Sequence, residues 1–296
     1  MNRRLFLSQS GLAAAGIGMA SGAEAKGNYP VLVFEKAIQN LSYDVIGEHL
    51  AKMGLQGIEA TIRKGGHIEP KDAETEVPRM VASLAKNGQK ALIAATSVLD
   101  VNAENEKFLR TLKANGITRY RMDYYRYDLK KSPLAQMREH TAKLKDLAAM
   151  NKEIGVQSLY QIHSGSKLAG SLSWDAAMMF EGLDPDHAAV AFDLRHVRMD
   201  TGISFDLALA NLRPHIRSIY VKDARWEGER SNKWKSVPLD TGFVDQATFN
   251  KVRKGLGTMP LSLHMEWGKT SLYRKEEAME AMELIARDAK TLKSWL

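Results

Sequence analysis

Short apolar segments alternate with longer stretches of helical periodicity along most of the chain. Helical stretches begin at a capping residue and end before a glycine, as in 42–53, 102–115 and 132–154. The apolar segments are rich in β-branched residues and have the length of strands. These predicted strands cover residues 31–36, 57–63, 91–97, 119–124, 156–163, 189–196, 216–222 and 261–266. Strand, helix, glycine and strand is the order typical of a parallel sheet.

The number of predicted strands identifies the fold class as α/β and favours a single closed (β/α)₈ barrel, which needs eight of them. An open doubly wound sheet is the alternative. Its dinucleotide-binding form requires a G-x-G-x-x-G motif after the first strand, and residues 34–44 contain no glycine. We therefore expect the barrel. The longest predicted loop, 223–243, carries Trp226 and Trp234 and is a candidate rim or lid over its mouth.

The N-terminus has the layout of a secretory signal peptide. A twin arginine at positions 3–4 precedes an apolar run rich in glycine and alanine at 11–20, and 23–25 (AEA) offers a small-x-small cleavage site. A membrane anchor would need about 20 strongly apolar residues, and this stretch is short and poor in leucine, isoleucine and phenylalanine. We expect residues 1–25 to be a cleaved twin-arginine signal, and 26–296 to form a periplasmic or otherwise exported barrel without stable membrane insertion.

Charge and cysteine content exclude several classes of function. The chain has a formal net charge of +7 and no cysteine. The excess of positive charge comes without an arginine-rich run, zinc-finger spacing or an aromatic-interleaved basic stripe, so we expect no nucleic-acid partner. Without cysteine there is no disulfide framework, cysteine nucleophile or thiolate metal ligand. The oligomeric state stays open.

Polar and ionisable residues concentrate at the carboxyl ends of the predicted strands. In a barrel these positions point toward the catalytic mouth. Buried charges are costly unless they are paired or coordinated, so packing alone explains the concentration poorly. The candidates, in chain order, are Glu35, Lys36, Glu59, Arg63, His67, Gln161, His163, Asp193, His196, Tyr220, Lys222, Asp223 and Glu266.

Simpler readings stay open for several of these positions. Lys222 and Asp223 can form a local ion pair at a strand end, His196 can be a satisfied core histidine, and residues 65–66 can be a tight turn. We expect His264 to face the helical layer and assign it no role. Three further histidines are expected to be solvated: His49, His140 and His187.

Five segments in order along the mature chain resemble the xylose isomerase-like barrels known as sugar phosphate isomerases/epimerases. They are GLQGIEATIRKGGHIEP (54–70), YQIHSG (160–165), FDLRH (192–196), YVKDARW (220–226) and HMEWG (264–268). Each motif is short, so the resemblance rests on their order and spacing. It implies a metal site formed by Glu, Asp, His and Glu from strands five to eight. There a divalent ion holds two sugar oxygens, and the two glutamates exchange a proton next to the carbonyl.

Two of these four family positions match and two differ. The Asp falls on Asp193 and the last Glu on Glu266, whereas the first Glu falls on Gln161 and the His on Tyr220. The departures remove two of the family's four metal ligands and one of the two glutamates that exchange the proton in epimerisation.

Neighbouring histidines can supply the missing metal ligands. His163 shares a strand face with Gln161, because side chains repeat with period two, and His196 follows three residues after Asp193. Nitrogen and oxygen ligands of this kind suit Mn, Zn, Fe or Co. The candidate metal ligands are therefore Asp193, Glu266, His163 and His196.

The sequence and the resemblance together predict proton transfer next to the carbonyl of a sugar or keto-sugar, as in an isomerase or epimerase. The predicted catalytic residues are Glu266 as the base, Lys222 or a metal ion as the group that stabilises the enediolate, and His163. A small carbohydrate is the expected partner. The predicted substrate-binding residues are Glu59, Arg63, His67, Gln161, His196, Tyr220 and Trp226.

Three other functions are weighed against this one. Loss of one glutamate favours a one-base reaction, such as β-elimination or hydration of a 3-keto-glycoside. A non-catalytic sugar-binding barrel is favoured by Gln161 and Tyr220, which hydrogen-bond hydroxyls without ionising near pH 7. Barrel endonucleases that cut abasic DNA share the superfamily, but they need a histidine-rich multi-zinc cluster for which this chain has few histidines in place.

Overall fold

The computed structural model describes residues 29–228, 233–268 and 275–296, and its central feature is a closed barrel of eight parallel strands. The strands of the barrel are β1 (Val31–Phe34), β2 (Gly57–Thr61), β3 (Lys90–Ala95), β4 (Arg119–Arg121), β5 (Gln157–Gln161), β6 (Ala188–Asp193), β7 (Ile216–Val221) and β10 (Leu261–Leu263). Strand β1 pairs with both β2 and β10, which closes the ring. The predicted single (β/α)₈ barrel is confirmed. The predicted signal peptide, 1–25, lies outside the described residues.

Helices surround the barrel in the described parts of the chain. They are α1 (Tyr43–Lys52), α2 (Ala73–Ala85), α3 (Ala103–Ala114), α4 (Pro133–Ile154), α5 (Trp174–Phe180), α6 (Leu194–Thr201), α7 (Phe205–Leu212), α8 (Gln246–Arg253) and α9 (Lys275–Ser294). The predicted caps form: Asn102 accepts a hydrogen bond from the Asn105 amide at 2.8 Å. Gly155 ends α4 with φ 79°, the left-handed conformation that favours glycine. Within the described ranges, no helix has the length and apolar character to cross a membrane.

The predicted loop 223–243 contains an antiparallel hairpin, so the loop prediction is wrong in part. Strands β8 (Asp223–Trp226) and β9 (Trp234–Val237) pair with Trp226 opposite Trp234. Asp223 fixes the base of this hairpin, because its carboxylate accepts the backbone amides of Ala224, Thr241, Gly242 and Val244. Asp223 is thus a structural anchor, and the local ion pair with Lys222 that the sequence left open does not form.

The inner face of the barrel sets the height of the site. Below the mouth the strands contribute a small apolar layer, which includes Leu159 on β5 and Ala191 on β6. Because strand side chains alternate, the next inward positions are Gln161 and Asp193. These are the last residues of their strands, so polar groups begin where the apolar filling ends.

Candidate active site

A buried lysine joins two carboxylates at the mouth of the barrel. Lys222, directly after β7, places Nζ 3.1 Å from Asp193 Oδ2 and 3.0 Å from Glu266 Oε1. Lys222 and Asp193 are almost fully buried, whereas the Glu266 side chain is 35% exposed. Burial raises the pKa of both carboxyls, but the attraction of Lys222, together with that of Arg195 and His264, outweighs it and lowers each pKa below its ordinary value. Both groups are therefore carboxylates at neutral pH.

Arg195 holds the second oxygen of Glu266. Its Nη2 lies 2.9 Å from Glu266 Oε2 and 3.0 Å from His196 Nε2, and its Nη1 donates to Ser236 Oγ on β9 at 3.0 Å. The guanidinium also stacks over the ring of Trp234, 4.9 Å from its centroid. The hairpin therefore positions the arginine that orients Glu266.

Gln161 is locked in place by its neighbours. Its amide Nε2 donates to Asp193 Oδ2 at 2.7 Å, and its Oε1 accepts from Arg121 Nη1 and from the Tyr124 hydroxyl. The predicted substrate contact at Gln161 is therefore already occupied at its oxygen and at one N–H. A neutral amide also cannot act as a carboxylate base.

A second charged cluster, with Glu59 at its centre, is closed to solvent. Glu59 is fully buried, and its carboxylate contacts Arg121 Nε at 2.8 Å and the hydroxyl of Tyr220 at 3.1 Å. Burial raises the pKa of Glu59, but Arg121 and then His264 outweigh it and lower the pKa to about 2. The prediction that Glu59 and Tyr220 bind substrate gains no support from this arrangement, because both side chains are buried and are hydrogen-bonded to each other.

His264 belongs to the interior, so its predicted orientation toward the helices is wrong. Its Nε2 lies 3.1 Å from Glu59 Oε2 and its Nδ1 lies 3.8 Å from Glu266 Oε1. The ring stacks on Phe34 at a centroid distance of 4.5 Å. The reason is the alternation of side chains along a strand: Ser262, His264 and Glu266 are each two residues apart and therefore share the inner face.

Two neutral histidines line the same side of the mouth. Their rings lie 3.8 Å apart between centroids. His163 Nδ1 faces the carbonyl of Ser164 at 2.8 Å, and since a carbonyl only accepts, Nδ1 carries the proton and Nε2 is left as an acceptor. Burial, followed by repulsion from Lys222, lowers the pKa of His163 to about 4. His163 is thus a neutral imidazole near pH 7, with its proton on Nδ1.

His196 has both ring nitrogens engaged. Nε2 faces the donor-only Arg195 guanidinium at 3.0 Å, so Nδ1 carries the proton and donates to Ser164 Oγ at 2.9 Å. Burial lowers its pKa well below the usual value. The open alternative of a satisfied core histidine is the one that the structure supports.

Three other predicted contact residues lie in separate surroundings. His67 stacks on Tyr43 at 4.0 Å, and its Nδ1 lies 3.5 Å from Glu35 Oε2. Arg63 lies over the Phe34 ring, and Trp226 is half exposed on the hairpin. In the described residues, none of the three contacts the cluster formed by Lys222, Asp193 and Glu266.

A divalent metal ion does not fit the donors at this site. Asp193 already accepts from Lys222, Gln161 and the His196 amide, and Glu266 accepts from Lys222 and Arg195. An ion between the carboxylates would have to displace the ammonium, because two cations a few ångströms apart repel strongly.

The predicted metal site therefore does not form. Across residues 29–228, 233–268 and 275–296, no three His, Asp or Glu side chains are grouped to hold an ion. The predicted ligands Asp193, Glu266, His163 and His196 are instead taken up by contacts with protein groups.

Sequence reasoning missed the residues that complete the site. Arg121 is the last residue of β4, where the rule applied to the other strands would have found it. Arg195 lies inside the FDLRH motif beside Asp193. No sequence signal identifies Tyr124 or Ser164, since their contacts depend on how neighbouring loops pack.

Comparison with known proteins places this site in a family. Residues 48–289 match the family model described as xylose isomerase-like TIM barrel. The chain belongs to this family. No curated protein matches the sequence.

Solved structures share the fold at low sequence identity. A probable 3-DHS dehydratase, AsbF from Bacillus anthracis, is 14% identical, with 90% of this chain and 98% of that one covered at a TM-score of 0.66. The 3-keto-D-glucoside 4-epimerase YcjR from E. coli is 14% identical, with 87% and 98% covered at 0.60. A Mycobacterium smegmatis barrel protein in complex with magnesium is 15% identical, with 88% and 98% covered at 0.61. At these identities the likeness establishes the fold.

Proposed function

We propose that this protein acts on a sugar or keto-sugar and transfers a proton at the carbon next to the carbonyl, as an isomerase or epimerase. The observation that carries the proposal is the ammonium of Lys222 between Asp193 and Glu266, with Glu266 accessible from the mouth. Membership of the family supports it. So do the epimerase and the probable dehydratase that share the fold.

Lys222 supplies the positive charge that the reaction needs. Removal of a proton next to a carbonyl places negative charge on the carbonyl oxygen, and a fixed cation lowers the energy of that enediolate. An ammonium has three donors. Two of them face Asp193 and Glu266, and in the proposed complex the third binds a substrate oxygen that enters beside the accessible Glu266. Lys222 thus acts where the family resemblance predicts a metal ion.

Glu266 and His163 are the proton-transfer groups. Glu266 is the accessible carboxylate and accepts the proton from carbon, although its ion pairs weaken it as a base. His163 presents an unprotonated Nε2 near pH 7 and can return or take a proton at substrate oxygen. Arg195 orients Glu266 directly by its ion pair. His196 orients His163 through Ser164, which contacts both histidines.

A lyase or hydratase reaction on a 3-keto-glycoside is the second candidate. It is favoured by Gln161, whose locked amide leaves Glu266 as the accessible carboxylate beside Lys222 among the described residues, in place of the two glutamates that symmetric epimerisation uses. β-Elimination needs one carboxylate base and a proton for the leaving group, and Glu266 can pass the proton that it takes from carbon to the leaving-group oxygen, so no separate acid is needed.

Exchange in D₂O tests both candidates. The mature protein is incubated with a panel of keto-sugars and 3-keto-glycosides in D₂O without added metal. We expect deuterium at one carbon next to the carbonyl, with Glu266→Gln slower by about 10²-fold or more. The matched control is Glu153→Gln, an exposed carboxylate on α4 that pairs with Arg110. Tight sugar binding without exchange on any substrate would establish a non-catalytic sugar-binding barrel instead.

We further propose that the enzyme works outside the cytoplasm. The twin arginine and the cleavage motif at 23–25 support export, so the substrate would be a periplasmic carbohydrate. N-terminal sequencing of the exported protein is expected to begin near Lys26. An intact Met1 in a membrane fraction would contradict this.

A further inference from the structure

A basic cleft opens beside the active site, over the carboxyl ends of β1 to β4. It has a volume of about 270 Å³, and its charged lining consists of Lys36, Arg63, Lys64 and Asp123. Three cations thus face one carboxylate. The lining therefore has an excess of positive charge. The Asp123 carboxylate accepts a hydrogen bond from the Tyr124 amide at 2.7 Å, which orients it.

Arg63 is the unusual member of this cleft, because it is partly buried and forms no direct ion pair in the described part of the chain, while the carboxylates of Glu59 and Asp123 attract it only at longer range. Within the described residues its guanidinium makes no hydrogen bond or ion pair, and its nearest marked contact is the Phe34 ring, 5.6 Å from the centroid. Burial, followed by repulsion from Arg121, lowers the pKa of Arg63. A partly buried charge without a partner is costly, and a ligand anion would remove that cost.

A second guanidinium lies on the same aromatic ring. Arg121 is 4.6 Å from the Phe34 centroid, and its buried Nη2 has no hydrogen-bond partner among the described residues. Its other nitrogens contact Glu59 and Gln161. Since Gln161 contacts Asp193, a short chain of polar contacts connects Arg121, which lies behind the cleft, with Lys222.

The backbone that carries Arg63 is rigid. Gly66 follows in a turn where an added Cβ would lie 2.5 Å from the carbonyl oxygen of Thr61, so only glycine fits. The amide of His67 donates to Thr61 Oγ1 at 2.9 Å, and the Arg63 amide donates to the Ile68 carbonyl at 3.0 Å. A pre-organised arginine loses less entropy on binding an anion.

We propose that the basic cleft binds an anionic group of the substrate, a carboxylate or a phosphate, with Arg63 as the principal contact. The planar guanidinium matches both anions through two parallel hydrogen bonds. Lys36 and Lys64 add charge at the rim. The inference rests on the proposed function in that the ligand is the substrate of the neighbouring site, and it specifies an anionic group as the part of the substrate that Arg63 contacts.

Calorimetric titration with three sugars of similar size tests the cleft without any need for turnover. The probes are neutral D-glucose, D-gluconate with a carboxylate, and D-glucose 6-phosphate, each at low ionic strength. We expect at least one anion to bind more than about tenfold tighter than glucose, with the preference declining as salt is added. Gluconate and glucose 6-phosphate separate the two sources of charge.

Arg63→Gln is expected to abolish the preference for anions, and Arg63→Lys to retain part of it. The matched control is Arg119→Gln, which removes a half-buried arginine that bonds Gln157 at the opposite end of the barrel. An unchanged melting temperature of Arg63→Gln verifies that the fold is intact. Equal affinity for glucose and both anions, or a preference that survives in Arg63→Gln, would overturn the proposal. Deuterium exchange with a neutral keto-sugar is independent of this result, so failure of the cleft leaves the proposed function standing.

Discussion

The two ion-paired clusters of the barrel contain the same kinds of charged groups but differ in their exposure to solvent. In the inner cluster, Glu59 and Arg121 are both buried and pair with each other. In the outer cluster, Lys222 is buried but one of its two carboxylates, Glu266, is accessible. His264 contacts Glu59 and approaches Glu266, so it joins the two. Exposure of one partner, more than the presence of charge, is therefore what distinguishes the outer cluster, which we propose to be catalytic, from the inner one.

Breaking the inner cluster should have the largest effect on stability. Arg121→Leu leaves the Glu59 carboxylate buried without its cation, and we expect the free energy of unfolding to fall by about 3–5 kcal/mol. Urea denaturation at pH 7 measures it. Glu59→Gln combined with Arg121→Leu should recover part of the loss, because no charge is then left unpaired. A single variant as stable as wild type would show that the inner cluster does not support the fold.

Breaking the outer cluster should act mainly on catalysis. Lys222→Met removes the cation next to the developing negative charge, and we expect turnover to fall by about 10²–10³-fold. The rate is measured per folded molecule, since Asp193 also loses its counter-ion. Wild-type turnover in the folded variant would remove Lys222 from the mechanism.

The depressed pKa of His163 links stability to pH. An unfolded histidine titrates near pH 6.5, whereas the folded one has its pKa lowered to about 4 by burial and by Lys222. Between these values the unfolded state binds more protons, so stability should fall as the pH decreases from about 6.5 to 4 and be retained above 6.5. The melting temperature, measured across this range, should decrease less with falling pH in His163→Asn than in wild type. An identical pH dependence in the variant would assign the effect elsewhere.

The smallest expected effect concerns the hairpin. Trp234→Leu removes the ring over Arg195, and at this half-exposed position we expect a loss of about 0.5–1 kcal/mol in stability. Turnover should fall less than about tenfold, because Arg195 keeps its contact with Ser236. Trp226→Leu, on the paired strand, is the matched control. Equal losses in both variants would mean that the hairpin acts only through its own packing.

The sequence predicted the barrel because strand and helix periods repeat along the whole chain, and the predicted strands begin close to their observed positions. It also predicted that Lys222, Asp193 and Glu266 would lie together at the mouth, since polar residues at strand ends converge in this fold. It could not predict that Lys222 would bridge the two carboxylates, or that Glu59 would be closed off by Arg121. Those outcomes depend on distances across the barrel, between residues far apart in sequence.

The central claim is that the ammonium of Lys222 takes the place of a metal ion between Asp193 and Glu266. Titration of the purified protein with Mn²⁺, followed by electron paramagnetic resonance of the free ion, tests it directly when wild type is compared with the triple variant Gln161→Glu, Tyr220→His and Lys222→Met. We predict no stoichiometric site in wild type and a gain of Mn²⁺ binding in the variant, whose restored donors lack the competing cation. One equivalent of Mn²⁺ bound tightly by wild type would contradict the account.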